Sequence, residues 1–222
     1  DGYKVSGGLH GEGASVVNAL STFARAEVHR DGESFVQDYA IGKKKAPVKK
    51  VGKSKMHGTV ISFTPDASIF TTTIEFDFDK IVSHLREQAY LVKELRITII
   101  DARKSGMKFT DVGKELFIRE YLSNCPSQTF YFEGGLRSLV SFYNRYQKPI
   151  HKNIFYIEKE YKVPAGGANE DVNVEIALQY VDDISSRIFP FANNIYNNEQ
   201  GTHVTGFRTA LTRILNSYGR KS

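Results

Sequence analysis

The feature that most constrains the fold of this chain is a glycine-rich segment that leads directly into an amphipathic run. The segment SGGLHGEGAS, residues 6–15, holds four glycines and one carboxylate, Glu12. The run that follows has one apolar face at helical spacing, formed by Val16, Val17, Leu20 and Phe23. Glycine lets the backbone approach an anion closely, and the free N–H groups at a helix start favour negative charge. The segment predicts a helix from about Ala14, preceded either by a simple turn or by a phosphate cradle.

The order of the glycines narrows the kinds of nucleotide site that are possible. Gly8, Gly11 and Gly13 form G-x-x-G-x-G, the reverse of the dinucleotide fingerprint, and they do not follow a clean strand. The segment also lacks the Gly-Lys-Ser/Thr ending of a P-loop. We therefore predict neither a Rossmann site nor a Walker site.

Strand and helix patterns alternate along the rest of the chain. The dipeptide Asp31-Gly32 predicts a tight turn between two strands in RAEVHRDGESFVQDYA. Further strands are predicted in GTVISFTPD, LRITIIDAR, NIFYIEKEY, VNVEIALQY and FPFANN. Helices are predicted from near Phe78, with a stripe through Ile81, Leu85, Ala89 and Val92, in GGLRSLVSFYNRY, and from about Thr205 to Tyr218.

Two segments predict connections between these elements. PAGGANED, residues 164–171, predicts a loop between two strands, and residues 103–128 lack strong periodicity and predict an insertion or connector.

Thr202 or Thr205 is the predicted N-cap of the last helix. His203, beside them, is expected to be structural because no cysteine or second histidine lies near it in sequence.

Composition excludes several classes of protein. Apolar residues make up 41% and charged residues 25% of the 222 residues, which favours a folded chain over a disordered one. The apolar stretches fall short of the roughly 20 residues that cross a bilayer, so we expect no membrane association and a cytoplasmic location. Cys125 is the only cysteine, which excludes an internal disulfide and an all-cysteine metal site.

A basic segment follows the predicted hairpin. Between Gly42 and Met56 the chain carries seven lysines: Lys43, Lys44, Lys45, Lys49, Lys50, Lys53 and Lys55. Such a run either attracts a polyanion such as nucleic acid or forms a solvated loop.

Several stretches, in order, resemble one family. YKVSGGLHGEGASVVNALS is similar to the segment after the ATP lid in the ATPase subunits of bacterial type II topoisomerases, the B subunit of DNA gyrase and the ParE subunit of topoisomerase IV. HGTVISFTPDASIF, FYFEGGLRSLVSFYN, PIHKNIFYI, VEIALQY and GTHVTGFRTALTRILNSY also resemble these GHKL ATPases. Only about residues 104–128 and 159–171 match poorly, and the details lean modestly towards gyrase.

The resemblance implies an α+β fold in two domains. Residues 1–128 would be the second half of a GHKL (Bergerat) ATPase α/β sandwich, and residues 129–222 the first part of a transducer domain with a βαβ-type fold. The chain would then be a fragment of an ATP-operated gate that drives dimerisation and DNA strand passage. The alternatives are ParE of topoisomerase IV and a non-catalytic remnant of the same fold.

The resemblance also implies nucleotide contacts, carried over residue by residue. Tyr3 matches a tyrosine that reaches the adenine, and Thr59 matches a threonine beneath the base. The phosphate cradle would be formed by Gly8, Leu9, His10, Gly11, Glu12, Gly13 and Ala14. Glu12 departs from the family pattern, which has valine, and we expect Glu12→Val to tighten ATP binding unless the carboxylate faces solvent.

Other implied groups are not matched in this chain. The catalytic glutamate, the asparagine that holds Mg²⁺ and the adenine-reading aspartate would precede residue 1, so the chain alone is expected to bind ATP weakly, to hold no metal and to be inactive. The implied partners are the A subunit of gyrase, a second copy of gyrase B and double-stranded DNA.

Charged residues elsewhere have competing interpretations. The resemblance implies that some of Arg208 and Arg213, on the last helix, and Arg137 and Arg145, on an earlier one, line a cavity for DNA and attract its phosphates. Ordinary surface arginines account for them about as well. Arg30 is expected near the nucleotide pocket by resemblance. The acids of TIEFDFD, Glu75, Asp77 and Asp79, are predicted to form a solvated face and a first helical turn rather than a catalytic pair.

Overall fold

The protein divides into two compact units, each considered by itself. The computed structural model describes residues 7, 11–105, 124–165, 168–199 and 201–221. Among these, residues 11–84, 98–105 and 124–129 form what we call the sheet unit. Residues 85–97 and 130–221 belong to the second, which we call the hairpin unit. The predicted domain boundary at 128/129 stays a prediction.

The sheet unit is built on an antiparallel sheet with strand order β3-β2-β1-β5, and β4 also pairs with β2. Its elements are α1 Gly13–Ala19, β1 Ser21–Arg30, β2 Glu33–Ala40, β3 Lys43–Lys44, β4 Lys49–Lys53 and β5 Gly58–Pro65. The predicted turn between β1 and β2 has positive φ angles at both Asp31 (54°) and Gly32 (79°). Two positive φ values are what a tight hairpin turn requires, so this dipeptide sets the register of β1 against β2.

The helix after the glycine segment is shorter than its sequence pattern predicts. It ends at Ala19, and Phe23, predicted on its apolar face, lies in β1 opposite Thr64 of β5. The prediction for Phe23 was wrong because pairing with two neighbouring strands outweighs a local helical pattern. The end of α1 is held by a turn of the sheet, since Gly42 N–H donates to Asn18 O at 3.1 Å.

The helix α2, Phe78–Leu91, is divided between the two units: its residues up to His84 belong to the sheet unit and those from Leu85 to the hairpin unit. Asp77 Oδ1 accepts the Lys80 N–H at 3.1 Å, and Asp79 lies exposed in the first turn. The acids therefore lie at the helix start as predicted. Two short strands that lie mostly in the sheet unit, β6 Ile97–Ile100 and β7 Ser127–Phe130, pair with each other. Residues 106–123, most of the predicted connector, lie outside the described residues.

The hairpin unit is dominated by two long antiparallel strands. Its elements are α3 Leu136–Tyr143, β8 Phe155–Ala165, β9 Ala168–Leu178, β10 Phe191–Ala192, β11 Ile195–Tyr196 and α4 Thr202–Gly219. The predicted loop 164–171 was too long, because Pro164 pairs with Asn169 and Ala165 with Ala168. The predicted threonine N-cap of α4 was also wrong. Gly201 precedes the helix without a side-chain cap, and Thr202 is already helical.

In the described part of the chain, no helix combines the length and hydropathy needed to cross a membrane.

Candidate nucleotide site

The described part of the glycine segment forms an open turn into α1. Gly11 has φ +65°, and a Cβ added there meets nothing within 4 Å. Glu12 precedes the helix and is exposed; its carbonyl accepts the Val16 N–H at 2.9 Å, and its side chain makes no capping hydrogen bond. Gly13 and Ala14 begin the helix and are exposed. The predicted contacts Tyr3, Gly8, Leu9 and His10 lie outside the described residues.

Thr59 lies near the start of β5, on the sheet that α1 leads into. It pairs with Val28 of β1, while Pro65, at the other end of β5, pairs with Ser21, the first residue of β1. Residues opposite each other in an antiparallel pair point to the same side of the sheet. The side that carries Thr59, which we call the Thr59 face, comprises Ala24, Ala26, Val28, Arg30, Glu33, Phe35, Gln37, Tyr39, Thr59, Ile61 and Phe63.

The Thr59 face is apolar along β1 and β5 except near Thr59 and Arg30, while β2 adds Gln37 and Glu33 to it. Its side chains on β5 are accessible, with Ile61 56% and Phe63 41% exposed, and Thr59 itself is exposed. Arg30 follows Val28 by two residues, which puts its side chain on the same face near Thr59, where its Nε lies 3.4 Å from Asp31 Oδ2. The face thus offers apolar area with a hydroxyl and a guanidinium at one end. Such a surface suits a flat ring that carries polar edges.

Sequence reasoning missed a buried polar chain on the opposite face. His29 Nε2 lies 2.6 Å from Glu27 Oε1, and both side chains are 4% exposed. His29 Nδ1 lies 2.8 Å from Ser54 Oγ, which also accepts the Met56 N–H at 3.1 Å. The chain of contacts therefore ties β1 to the segment that enters β5 and carries Thr59. His29 and Ser54 are 25 residues apart, so no local sequence pattern predicts their contact. The only sequence feature that pointed to a polar chain was the alternation of Glu27 and His29 on one strand.

A second ion pair lies on the polar side of the same sheet. Arg25 Nε donates to Asp38 Oδ1 at 2.7 Å and Nη2 to Oδ2 at 3.1 Å. The hydrogen bonds from Arg25 hold the pKa of Asp38 below its usual range. The two-pronged geometry joins β1 to β2 near their middle.

The hairpin unit holds a larger but more exposed polar cluster, the Lys93 cluster, which comprises Lys93, Tyr156, Glu158 and Glu175. Lys93 Nζ donates to Tyr156 Oη and to Glu158 Oε2, the latter at 2.9 Å, and Tyr156 Oη lies 2.7 Å from Glu175 Oε1. The hydrogen bond from Lys93 is the main cause that lowers the pKa of Glu158 to about 2. Burial is the main cause that raises the pKa of Tyr156 to about 12.

The arginines predicted to contact DNA lie on α4. Arg208 and Arg213 border the same open depression along this helix, together with Arg220. All three are exposed. The other candidates, Arg137 and Arg145, instead lie over aromatic rings, Arg137 4.5 Å from the Tyr156 ring centre and Arg145 4.2 Å from that of Phe142.

Comparison with known proteins identifies the fold. The chain resembles the 43K ATPase domain of Thermus thermophilus gyrase B, solved in complex with an aminocoumarin, with a TM-score of 0.73 and 29% identity over 96% of this chain and 50% of that one. The fold is therefore the predicted α+β fold of a GHKL-type ATPase domain.

The sequence comparisons identify the family. Residues 135–222 match the DNA gyrase B family. The chain is 41% identical over 221 residues to the DNA gyrase B protein of Bacillus mycoides, 44% over 220 residues to that of Halalkalibacterium halodurans, and 42% over 221 residues to that of Thermotoga maritima. The chain belongs to the DNA gyrase B family. It spans 48%, 30% and 31% of the lengths of these three relatives.

Proposed function

We propose that this chain is the nucleotide-binding and gate-linking part of a bacterial type II DNA topoisomerase of the gyrase type. The proposal rests on the Thr59 face, whose β5 side chains Ile61 and Phe63 are apolar and accessible beside Thr59 and Arg30, within a fold shared with a gyrase B ATPase domain. ATP would lie with its base towards this face and its phosphates at the glycine segment.

Each part of the proposed site has a separate role. The Thr59 hydroxyl would hydrogen-bond the base, and the apolar residues beside it would exclude water from one side of the ring. The amides of Gly11, Gly13 and Ala14 would donate to phosphate oxygens, since glycine leaves the backbone open to an anion. Tyr3, Gly8, Leu9 and His10 would complete the contacts, as the resemblance implies.

The metal and the hydrolytic step belong to residues that the resemblance does not match in this chain. Among the described residues no group of three or more His, Cys, Asp or Glu side chains is placed to hold a metal ion. The chain alone would bind ATP weakly without hydrolysing it. In the whole protein the bound nucleotide would drive pairing of two gyrase B copies and capture of DNA together with gyrase A.

Arg208 and Arg213 would act later, on captured DNA. Their exposure and their position on one helix fit contacts to phosphates without reading of bases. In the whole enzyme, replacing both with glutamine would weaken DNA-stimulated ATP turnover and reduce its salt dependence. If DNA still stimulates ATP turnover to the same extent, these arginines do not contact the captured DNA.

The nucleotide site is tested by calorimetric titration with a non-hydrolysable ATP analogue. Thr59→Ala removes one hydrogen bond, worth about 0.5–1.5 kcal/mol, so its dissociation constant should rise about two- to tenfold. Thr64→Ala, on the same strand but the other face, is the matched control and should bind like the unmodified chain. Absence of binding by the unmodified chain, or equal losses in both variants, would contradict the proposal.

A further inference from the structure

The seven lysines of residues 43–55 lie along one edge of the sheet. Both β3 and β4 pair with β2, with Lys43 opposite Ala40 at one end and Lys53 opposite Glu33 at the other. Those positions are seven residues apart on β2, which corresponds to about 24 Å at roughly 3.4 Å per residue. We call this row of lysines, Lys43 to Lys55, the lysine edge. It is a line of charge rather than a compact cluster.

The charge of the lysine edge is largely uncompensated. No Asp or Glu occurs between Gly42 and His57. Lys50 pairs with Glu33, and Lys45 lies 5.6 Å from the centre of the Phe23 ring. The other five have no acidic partner among the described residues, and all five are exposed: Lys43, Lys44, Lys49, Lys53 and Lys55. A partner with many negative charges would supply the opposite charge that these five lysines do not find on the sheet.

We propose that the lysine edge is a docking surface for the phosphate backbone of duplex DNA. Duplex DNA carries a phosphate about every 3.4 Å along each strand, so a row of about 24 Å runs beside roughly seven phosphates. A single nucleotide or a free phosphate is too short to engage such a row. The choice of DNA as the polyanion rests on the proposed function, whereas the charge and the linear geometry do not.

A different role is open to lysines on edge strands. Charged side chains on an exposed edge keep a sheet from pairing with another copy of itself. That role needs charge but no ligand, and it predicts association of the protein when the charge is removed. DNA docking instead predicts loss of salt-dependent binding by a protein that stays monomeric. The two roles are therefore separable by experiment.

The test measures binding of the 222-residue chain to a labelled duplex by fluorescence anisotropy at salt concentrations between about 50 and 200 mM. The variant Lys43→Gln/Lys44→Gln/Lys49→Gln removes three charges that make no side-chain contact with an acid among the described residues. Each phosphate contact contributes about 0.9 to the slope of log affinity against log salt, so the slope should fall by about 2 to 3 and the affinity by about tenfold or more at about 50 mM. The variant Lys43→Arg/Lys44→Arg/Lys49→Arg should restore both.

The matched control removes three exposed lysines outside the edge, Lys80, Lys152 and Lys162. Its slope should stay close to that of the unmodified chain. If the control and edge variants lose the same amount of DNA affinity and slope, the effect depends only on net charge, and the proposal is overturned. Unchanged DNA binding by the edge variant, or its self-association in light scattering, would also overturn it.

Two further measurements distinguish DNA from other polyanions and the lysine edge from the nucleotide site. Vesicles with anionic headgroups should bind the unmodified chain more weakly than the duplex does, and stronger vesicle binding would overturn the assignment to DNA. The edge variant should bind the ATP analogue like the unmodified chain, because β3 and β4, which carry its three lysines, are separated from β5 by β1 and β2. Loss of DNA binding with retained nucleotide binding therefore tests the lysine edge independently of the nucleotide site. If the triple variant does not fold, the double variant Lys53→Gln/Lys55→Gln replaces it in the same measurement. The slope of log affinity against log salt should then fall by about 2.

Discussion

The sheet unit and the hairpin unit each contain a chain of hydrogen-bonded ionisable side chains, but in opposite surroundings. In the sheet unit Glu27 and His29 are almost fully buried, at 4% exposure each. In the hairpin unit Lys93 and Glu158 are 36% and 44% exposed. The same kind of contact therefore has different weight in the two places, because water competes with the second network and is excluded from the first.

The largest expected effect comes from breaking the buried chain. His29→Ala leaves the Glu27 carboxyl buried without its partner, and breaking a buried pair costs about 3–5 kcal/mol. The free energy of unfolding of the sheet unit should fall by about that amount, measured by urea denaturation with hydrogen exchange at β1 and β5. Glu33→Gln, which breaks the exposed pair with Lys50, is the control and should lower it by less than about 1 kcal/mol. A loss below about 1 kcal/mol for His29→Ala would show that burial does not separate the two networks.

A smaller effect is expected from the Lys93 cluster. Lys93→Ala removes the donor shared by Tyr156 and Glu158, but water replaces much of what is lost, so the loss should stay within about 1 kcal/mol. Thermal unfolding of the variant, compared with Lys152→Ala on the same unit, measures it. A loss as large as that of His29→Ala would contradict the contrast between the units.

The smallest effect is the pH dependence of the same cluster. The pKa of Glu158 falls from an ordinary 4.5 to about 2, so its ionised form is favoured in the folded state. Its stabilising contribution is complete above about pH 4.5 and is lost as pH falls towards 2. The difference in melting temperature between the unmodified chain and Glu158→Gln should therefore shrink over that interval. A difference that grows on acidification would reverse the assigned sign.

Local chemistry made much of the fold predictable from sequence. The Asp31-Gly32 turn, the α2 stripe with Asp77 at its start, and the β8 and β9 strands follow from backbone preference and apolar spacing. Phe23 was assigned to a helix because its spacing fits one, and only pairing with distant strands makes it part of β1. The link from His29 to Ser54 was out of reach for the same reason, since it depends on the register of the folded sheet.

The site was predictable only as far as the resemblance reached. No local pattern distinguishes Thr59 from other strand threonines, and its face became apparent only from the register of β1, β2 and β5. Glu12, the departure from the family pattern, is exposed beside the described part of the glycine turn.

We propose that the glycine segment and the Thr59 face bind one and the same nucleotide. The most direct measurement is a titration of the isotope-labelled chain with a non-hydrolysable ATP analogue, followed through backbone amide signals in nuclear magnetic resonance spectra. We expect the amides of Gly11, Gly13, Ala14 and Thr59 to shift together along one saturation curve, with Thr64 unmoved. Shifts confined to α4, or shifts of the glycine amides without Thr59, would contradict the claim.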